Sequence, residues 1–224
     1  MSLILPKFRY IYSRLRDPVS GLTHLLAALL SIFGLVLLIH RGLMKESGIV
    51  LTAFTIFGLT LILLYTASSL YHLIPASEKG LKILRKFDHM MIYVLIAGTY
   101  TPICMVILDG MFGWTLLIIM WSLAAIGIIM KLSWMNAPTW VSLAMYIGMG
   151  WLGILAFPTM AENLPLSGLV WILMGGLAYT VGAVIYGLKK PDPLPEVFGF
   201  HEIWHIFVMV GSFCHFWAIY MYVG

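Results

Sequence analysis

Two histidines near the C-terminus, His201 and His205, stand four residues apart in the motif HEIWH. Ser68 and His72 repeat this spacing in the motif SSLYH. In an α-helix, residues four apart lie one above the other on one face. If the two faces meet, three imidazoles converge, and neutral imidazole is the common nitrogen ligand of zinc in sites that keep one coordination position for water. The spacing therefore predicts a Zn²⁺ site formed by His72, His201 and His205.

Asp88 and Ser68 are the candidate catalytic residues beside these ligands. Asp88 precedes His89 at the start of an apolar run, where its carboxylate could hold a zinc-bound water or orient a ligand. Ser68 lies one helical turn before His72. Alternatively, the Ser68 hydroxyl could donate a hydrogen bond to a backbone carbonyl of its own helix.

The elements that position these residues are apolar runs long enough to cross a bilayer. The chain is 62% hydrophobic and 10% charged, whereas soluble domains carry roughly 25% charged residues. Lipid-exposed backbone must satisfy its own hydrogen bonds, and these runs lack the alternation of barrel strands, so each is expected to be helical. The predicted spans are Val19–Ile39, Gly48–Ile74, Asp88–Leu108, Met111–Met130, Thr139–Phe157, Leu166–Leu188 and His201–Val223.

The sequence thus predicts an all-α integral membrane protein with a seven-helix transmembrane domain over residues 19–224. Residues 1–18 form a basic segment suited to lie against an anionic leaflet. The basic residues flank apolar runs and form no contiguous basic face, so we expect membrane lipids as partners and no nucleic acid. No lysine falls inside a predicted span, which disfavours a retinal protein.

The positive charges fix an expected orientation. One side of the predicted topology carries eleven Lys and Arg residues, whereas the other carries only Arg41 and Lys45. The positive-inside rule therefore puts the N-terminus in the cytoplasm and the C-terminus outside. The eleven are Lys7, Arg9, Arg14, Arg16, Lys79, Lys82, Arg85, Lys86, Lys131, Lys189 and Lys190.

With this orientation, the candidate site residues share one depth at the cytoplasmic face, and His24 reaches the same depth. Ionisable groups there are expensive and need a partner or a function. His40, His89 and His215 are expected instead to hydrogen-bond neighbouring helices.

The motif HEIWH also fits HExxH, the metalloprotease signature. Positions where a metzincin-like continuation would need a third histidine hold Val208 and Gly211. Glu202 lies about 100° around the helix from His201. The protease interpretation is therefore disfavoured.

Three segments resemble the signatures of bacterial hemolysin III proteins and of their relatives, the progestin and adiponectin receptors. They are SSLYH from Ser68, FDHMMIYVLIAGTYTP from Phe87 and HEIWHIFVMVGSFCHF from His201. The stretch GLTHLLAALLS around His24 is similar to the first-helix motif of the bacterial branch. The resemblance spans essentially the whole chain.

The resemblance implies a seven-helix fold with an inside N-terminus, and zinc bound by His72, His201 and His205. It also implies that the residues matching Asp88 and Ser68 contact the zinc-bound water. A bacterial cytoplasmic membrane is the expected location.

Function divides into three hypotheses. A zinc-activated water could attack an amide or ester of a membrane lipid, an activity that the superfamily resemblance to alkaline ceramidases supports. Zinc could instead hold helices together in a non-enzymatic membrane sensor or receptor. The family name implies a third role, a cytolysin that permeabilises membranes. A chain this apolar has no evident soluble form, which favours a membrane-lipid function.

Overall fold

The computed structural model describes residues 15–108, 110–195 and 197–224. Within these ranges, seven helices are long and apolar enough to cross a membrane, and the β-type pairing found is one isolated bridge between Leu194 and Phe198. The predicted all-α, multi-pass membrane fold is confirmed. The basic segment over residues 1–18 falls mostly outside the described residues and stays a prediction, as does the orientation of the termini.

The helices follow the predicted spans closely. The helices are α1 Pro18–Met44, α2 Gly48–Leu73, α3 Glu78–Pro102, α4 Gly110–Ser133, α5 Thr139–Trp151, α6 Phe157–Asn163, α7 Leu166–Leu188 and α8 Phe200–Tyr222. A π-helical turn, Ile103–Ile107, continues α3. A 3₁₀ turn, Leu152–Ala156, joins α5 to α6, and these two helices together form the fifth span, Thr139–Asn163.

The start of α3 differs most from the prediction. The helix begins at Glu78 rather than at Asp88, so the cationic residues expected in a loop stand on its first turns. The Ser77 side chain caps this end by accepting a hydrogen bond from the Gly80 N–H, and the acidic Glu78 suits a helix N-terminus. Capping sets this helix end, whereas hydropathy detects only the part that crosses lipid.

The candidate site forms where α1, α2 and α8 meet. α1 packs along α2, and α8 packs on both α7 and α1. Gly21 allows the close approach of α1 to the end of α2, because a Cβ atom there would overlap the side chain of Leu73 and lie 3.3 Å from the Cβ of His72. Small residues at such contacts let membrane helices approach closely.

Candidate metal centre

The three predicted ligands lie together at one end of the bundle. His72 is the penultimate residue of α2, and His201 and His205 lie in the first two turns of α8. One ring nitrogen from each histidine lies within 4.8 Å of the others. His72 and His205 are each 3% exposed, and the Nε2 atoms of His72 and His201 are 3.3 Å apart. The structure therefore contains a three-histidine group that could hold a metal ion.

Two of the imidazoles are oriented by acceptors on or just before α1. The Nδ1–H of His72 donates to Asp17 Oδ2 at 3.0 Å, and the Nδ1–H of His205 donates to the carbonyl oxygen of Ser20 at 3.3 Å. These acceptors assign the protons to Nδ1 and leave both Nε2 lone pairs available. Ligating histidines commonly donate their second nitrogen to a carboxylate or a backbone carbonyl in this way.

The spacing of these nitrogen atoms fits a metal ion. Nitrogen ligands about 2.0–2.1 Å from a tetrahedral metal lie roughly 3.4 Å from one another, close to the 3.3 Å between His72 and His201 Nε2. Two lone pairs at this distance repel each other unless a cation or a proton lies between them. The donor set, its tautomers and its spacing therefore fit zinc.

Asp17 is a site residue that the sequence did not predict. Its backbone N–H donates to the carbonyl oxygen of His72 at 2.9 Å, and its carboxylate accepts from both Arg16 and the His72 ring. The hydrogen bond from His72 lowers the pKa of Asp17 from 3.8 to about 2; Arg16 adds to this effect and partial burial opposes it. The carboxylate is therefore ionised at neutral pH. The sequence signal that could have identified Asp17 is its position: a carboxylate immediately before the first span, at the depth of the histidines.

Both carboxylate oxygens of Glu202 accept hydrogen bonds from groups other than the candidate ligands. Its Oε1 accepts from the Ser20 hydroxyl at 2.6 Å, and its Oε2 accepts from the Gly199 N–H at 2.8 Å. Ser20 thus contacts both the HExxH glutamate, through its side chain, and His205, through its carbonyl. The Oε1 bond attaches the start of α8 to α1, and the Oε2 bond caps the N-terminus of α8 itself.

Asp88 and Ser68 lie beside the histidine group and line the same cavity as His201 and His205. Asp88 is not one of the residues whose ligand atoms converge; its Oδ2 lies 3.3 Å from His89 Nδ1. The Ser68 hydroxyl is buried without a hydrogen-bond partner of normal length among the described residues, and it lies close enough to Asp88 to interact with that carboxylate. The alternative in which Ser68 bonds its own helix is therefore wrong for this structure.

His24 reaches the site, as its depth predicted. Its ring stacks on His205 with centroids 3.7 Å apart and an interplanar angle of 10°, and it meets the Tyr65 ring edge-on at 5.0 Å. Both ring nitrogens are buried without a partner among the described residues. His24 and Ser68 thus present unsatisfied polar groups next to the three histidines, as expected where water or a ligand completes the site.

The remaining histidines differ from expectation. His89 and His215 each donate Nδ1–H to a carbonyl of their own helix, on Arg85 at 2.9 Å and on Gly211 at 2.8 Å, rather than to a neighbouring helix. His40 is exposed.

A cavity of about 540 Å³ opens from the histidine group into the bundle. This volume falls within the range of small-molecule sites, about 300–1,000 Å³. Its polar end carries the site residues, and its walls are largely apolar, including Leu64, Ile92, Ile96, Leu169, Ile172 and Val208. The arrangement can bind a molecule with a polar group at the histidines and an apolar chain.

Comparison with known proteins agrees with this architecture. Residues 12–216 match the family described as "Haemolysin-III related". The chain is 42% identical over 206 residues to "Hemolysin-3" of Bacillus cereus, covering 91% of this chain and 90% of that protein. It is 40% identical over 203 residues to "Hemolysin-3 homolog" of Bacillus subtilis (strain 168), covering 91% and 92%. It is 29% identical over 172 residues to human "Monocyte to macrophage differentiation factor", covering 75% and 69%.

Proposed function

The chain belongs to the haemolysin-III-related family, and from that premise we propose that it is a zinc-dependent hydrolase of membrane lipids, cleaving an amide or ester bond. One observation carries the proposal. Two of the three convergent imidazoles, those of His201 and His205, line a largely apolar cavity inside a membrane bundle. A purely structural metal site has no need to open onto a cavity.

His72, His201 and His205 are the residues that would hold zinc. When bound, zinc would polarise a substrate carbonyl and lower the pKa of water towards ~7. Asp17 and the Ser20 carbonyl keep His72 and His205 in the tautomers that leave Nε2 free. Because these acceptors belong to residues at the start of α1, the site depends on α1 as well as on the helices that carry the histidines.

Asp88 is proposed as the general base. Its side chain lines the cavity in which the proposed substrate would bind. It would accept a proton from the attacking water as the bond to the carbonyl carbon forms. It would then return the proton to the leaving amine or alkoxide as the C–N or C–O bond breaks, which balances the hydrolysis.

Ser68 and His24 are proposed to orient the polar part of the substrate. Their unpartnered polar atoms are buried beside the ligands, and both residues line the cavity. A substrate that hydrogen-bonds to them removes the cost of leaving them unsatisfied. The apolar walls would hold the acyl chain and exclude water other than the reacting molecule.

The test is hydrolysis by the purified full chain. Release of fatty acid from a ceramide and from an ester phospholipid would be measured before chelation, after removal of zinc and after its return. We expect activity that follows zinc content and is lost in His205→Ala. His40→Ala is the control, because His40 is exposed on α1. This substitution should leave the zinc content and the hydrolytic activity unchanged.

A fully zinc-loaded protein with no hydrolysis of either lipid would refute the hydrolase proposal. It would favour the sensor hypothesis, in which metal binding holds α2 and α8 together with α1.

Membrane permeabilisation is a second candidate, favoured by one observation: two relatives at 42% and 40% identity bear the name Hemolysin-3. Dye release from vesicles containing the reconstituted protein tests it. Release that is unaffected by His205→Ala would separate this activity from the metal centre.

A further inference from the structure

Lys131 is a buried cation in the wall of the cavity. It follows directly after the fourth predicted span, which ends at Met130, but it lies on α4, two residues before the end of that helix at Ser133, and it is 3% exposed. Its Nζ donates to the Ser142 hydroxyl at 2.6 Å. Within the described residues, no carboxylate oxygen lies within 4.0 Å of this nitrogen. The charge therefore has a hydroxyl partner but no ion-pair partner there.

Burying an ammonium group without a counter-ion is expensive. An ammonium offers three N–H donors, so one bond to Ser142 leaves donors for another acceptor. Lys131 also lines the cavity, so an anion in the cavity can reach it. A ligand bound in the cavity would accept hydrogen bonds from the remaining N–H donors of Lys131.

Arg85 adds a second positive charge to the same wall. It lies on α3, lines the cavity and is close enough to Lys131 for their charges to interact unfavourably. Among the described residues, Arg85 likewise has no carboxylate within 4.0 Å. The Oδ2 atom of Asp88, the carboxylate that lines this cavity, lies 3.3 Å from His89 Nδ1 instead. An anion between the two cations would relieve their repulsion.

We propose that Lys131, assisted by Arg85, binds the anionic headgroup of an acyl lipid whose chain occupies the apolar part of the cavity. The inference rests on the proposed function, because it assigns a substrate class to the same cavity. Lysine binds phosphate or carboxylate as a point charge, so both anions share the required chemistry. A phosphate headgroup carries more charge than a carboxylate and is expected to bind more tightly.

Binding to the purified, zinc-loaded full chain in neutral detergent tests this proposal without requiring turnover. The probes are 1-palmitoylglycerol 3-phosphate, palmitate and the neutral 1-palmitoylglycerol. Lys131→Gln should weaken binding of the phosphate lipid by roughly 10–100-fold, the loss expected for a hydrogen-bonded charge, and leave the neutral lipid unchanged. Lys131→Arg should keep most of the affinity. Lys82→Gln is the control, because Lys82 is exposed on α3.

A greater loss for the phosphate lipid than for palmitate identifies phosphate as the preferred headgroup, and the reverse identifies a carboxylate; either supports an anion site. Equal losses for charged and neutral lipids, or no loss for the charged lipids, would overturn the proposal. Ser142→Ala removes the bond to Lys131 but keeps the charge, so it should preserve discrimination between charged and neutral lipids.

Arg85→Gln keeps the test decisive if Lys131→Gln fails to fold. Arg85 is exposed, so its loss should weaken phosphate-lipid binding by only about threefold; unchanged binding counts against the proposal. Selective binding by a protein that never hydrolyses lipid would refute the hydrolase proposal alone. Hydrolysis without charge discrimination would refute the anion site alone.

Discussion

Asp17 and His72 are joined by two hydrogen bonds. The His72 Nδ1–H donates to the Asp17 carboxylate at 3.0 Å, and the Asp17 N–H donates to the His72 carbonyl at 2.9 Å. The backbone bond holds the start of α1 against the end of α2, and the side-chain bond fixes the tautomer that leaves His72 Nε2 near His201. Asp17, which belongs to neither of the two histidine motifs, thus orients the candidate ligand His72.

Asp17→Asn should weaken zinc binding without unfolding the protein. The amide keeps the shape and the backbone hydrogen bond but removes the charge that orients His72, and loss of such an outer partner typically costs 10–100-fold in metal affinity. Competition with a chelator of known affinity measures the change. Glu162→Gln, at an exposed carboxylate, should bind zinc as the unchanged protein does. Equal zinc affinity in both variants would remove Asp17 from the metal centre.

Zinc affinity should fall as the pH decreases, because the imidazoles must be neutral to bind and protons compete with the metal for their nitrogen atoms. Asp17 does not contribute to this loss. Its folded-state pKa, about 2, lies below 3.8, so its ionised form contributes to stability above 3.8, and this contribution disappears only as the pH falls through about 2. Zinc content after dialysis at pH 8, 7, 6 and 5 gives the profile. A zinc content that stays constant until the protein unfolds in acid would contradict the three-histidine assignment.

Glu202→Gln should retain zinc and hydrolytic activity while lowering the melting temperature. The Glu202 carboxylate accepts from Ser20 and from Gly199, and weakening these charge-assisted bonds should cost about 1 kcal/mol. Ser20→Ala removes one of them and keeps the carbonyl that orients His205, so it should behave similarly. Loss of activity with full zinc in Glu202→Gln would favour a metalloprotease-like role for this glutamate.

The sequence was sufficient to predict that these three histidines converge because two observations coincided: the four-residue spacing in each motif, and a shared depth in the orientation that the positive charges predict. The same information could not find Asp17, since its role depends on the approach of α1 to α2 at Gly21. Hydropathy also could not locate the start of α3, which Ser77 caps well before the apolar run, or show that Lys131 is buried. The bonds of His89 and His215 within their own helices depend on local side-chain geometry, which spacing does not determine.

The cytoplasmic N-terminus and external C-terminus are a separate prediction. It depends on the asymmetry of eleven positive residues on one side and two on the other. The hydrogen bond from Lys86 Nζ to the Leu132 carbonyl, 2.9 Å long, joins the start of α3 to the end of α4, and both lie on the predicted cytoplasmic side. A reporter enzyme that works only outside the cell, fused after Gly224, should be active. Activity of a matched cytoplasmic reporter at the same position would reverse the orientation and the proposed depth of the site.

Asp88→Asn best separates a catalytic site from a structural one. Asp88 lines the cavity beside the ligands but is not one of the converging residues, so the substitution should leave about one zinc per chain and little change in melting temperature. The amide cannot accept a proton as the carboxylate does, so lipid hydrolysis should fall by the ~10²–10⁴ typical of a lost general base. Ser68→Ala should produce a smaller decrease, and Asp192→Asn, at an exposed aspartate, should produce none.

If Asp88 were instead a fourth ligand of a closed site, Asp88→Asn would lose zinc and thermal stability together. Neither the unchanged protein nor the variant would then hydrolyse lipid. Full activity with full zinc would remove Asp88 from the reaction, so all three quantities are to be measured on one preparation.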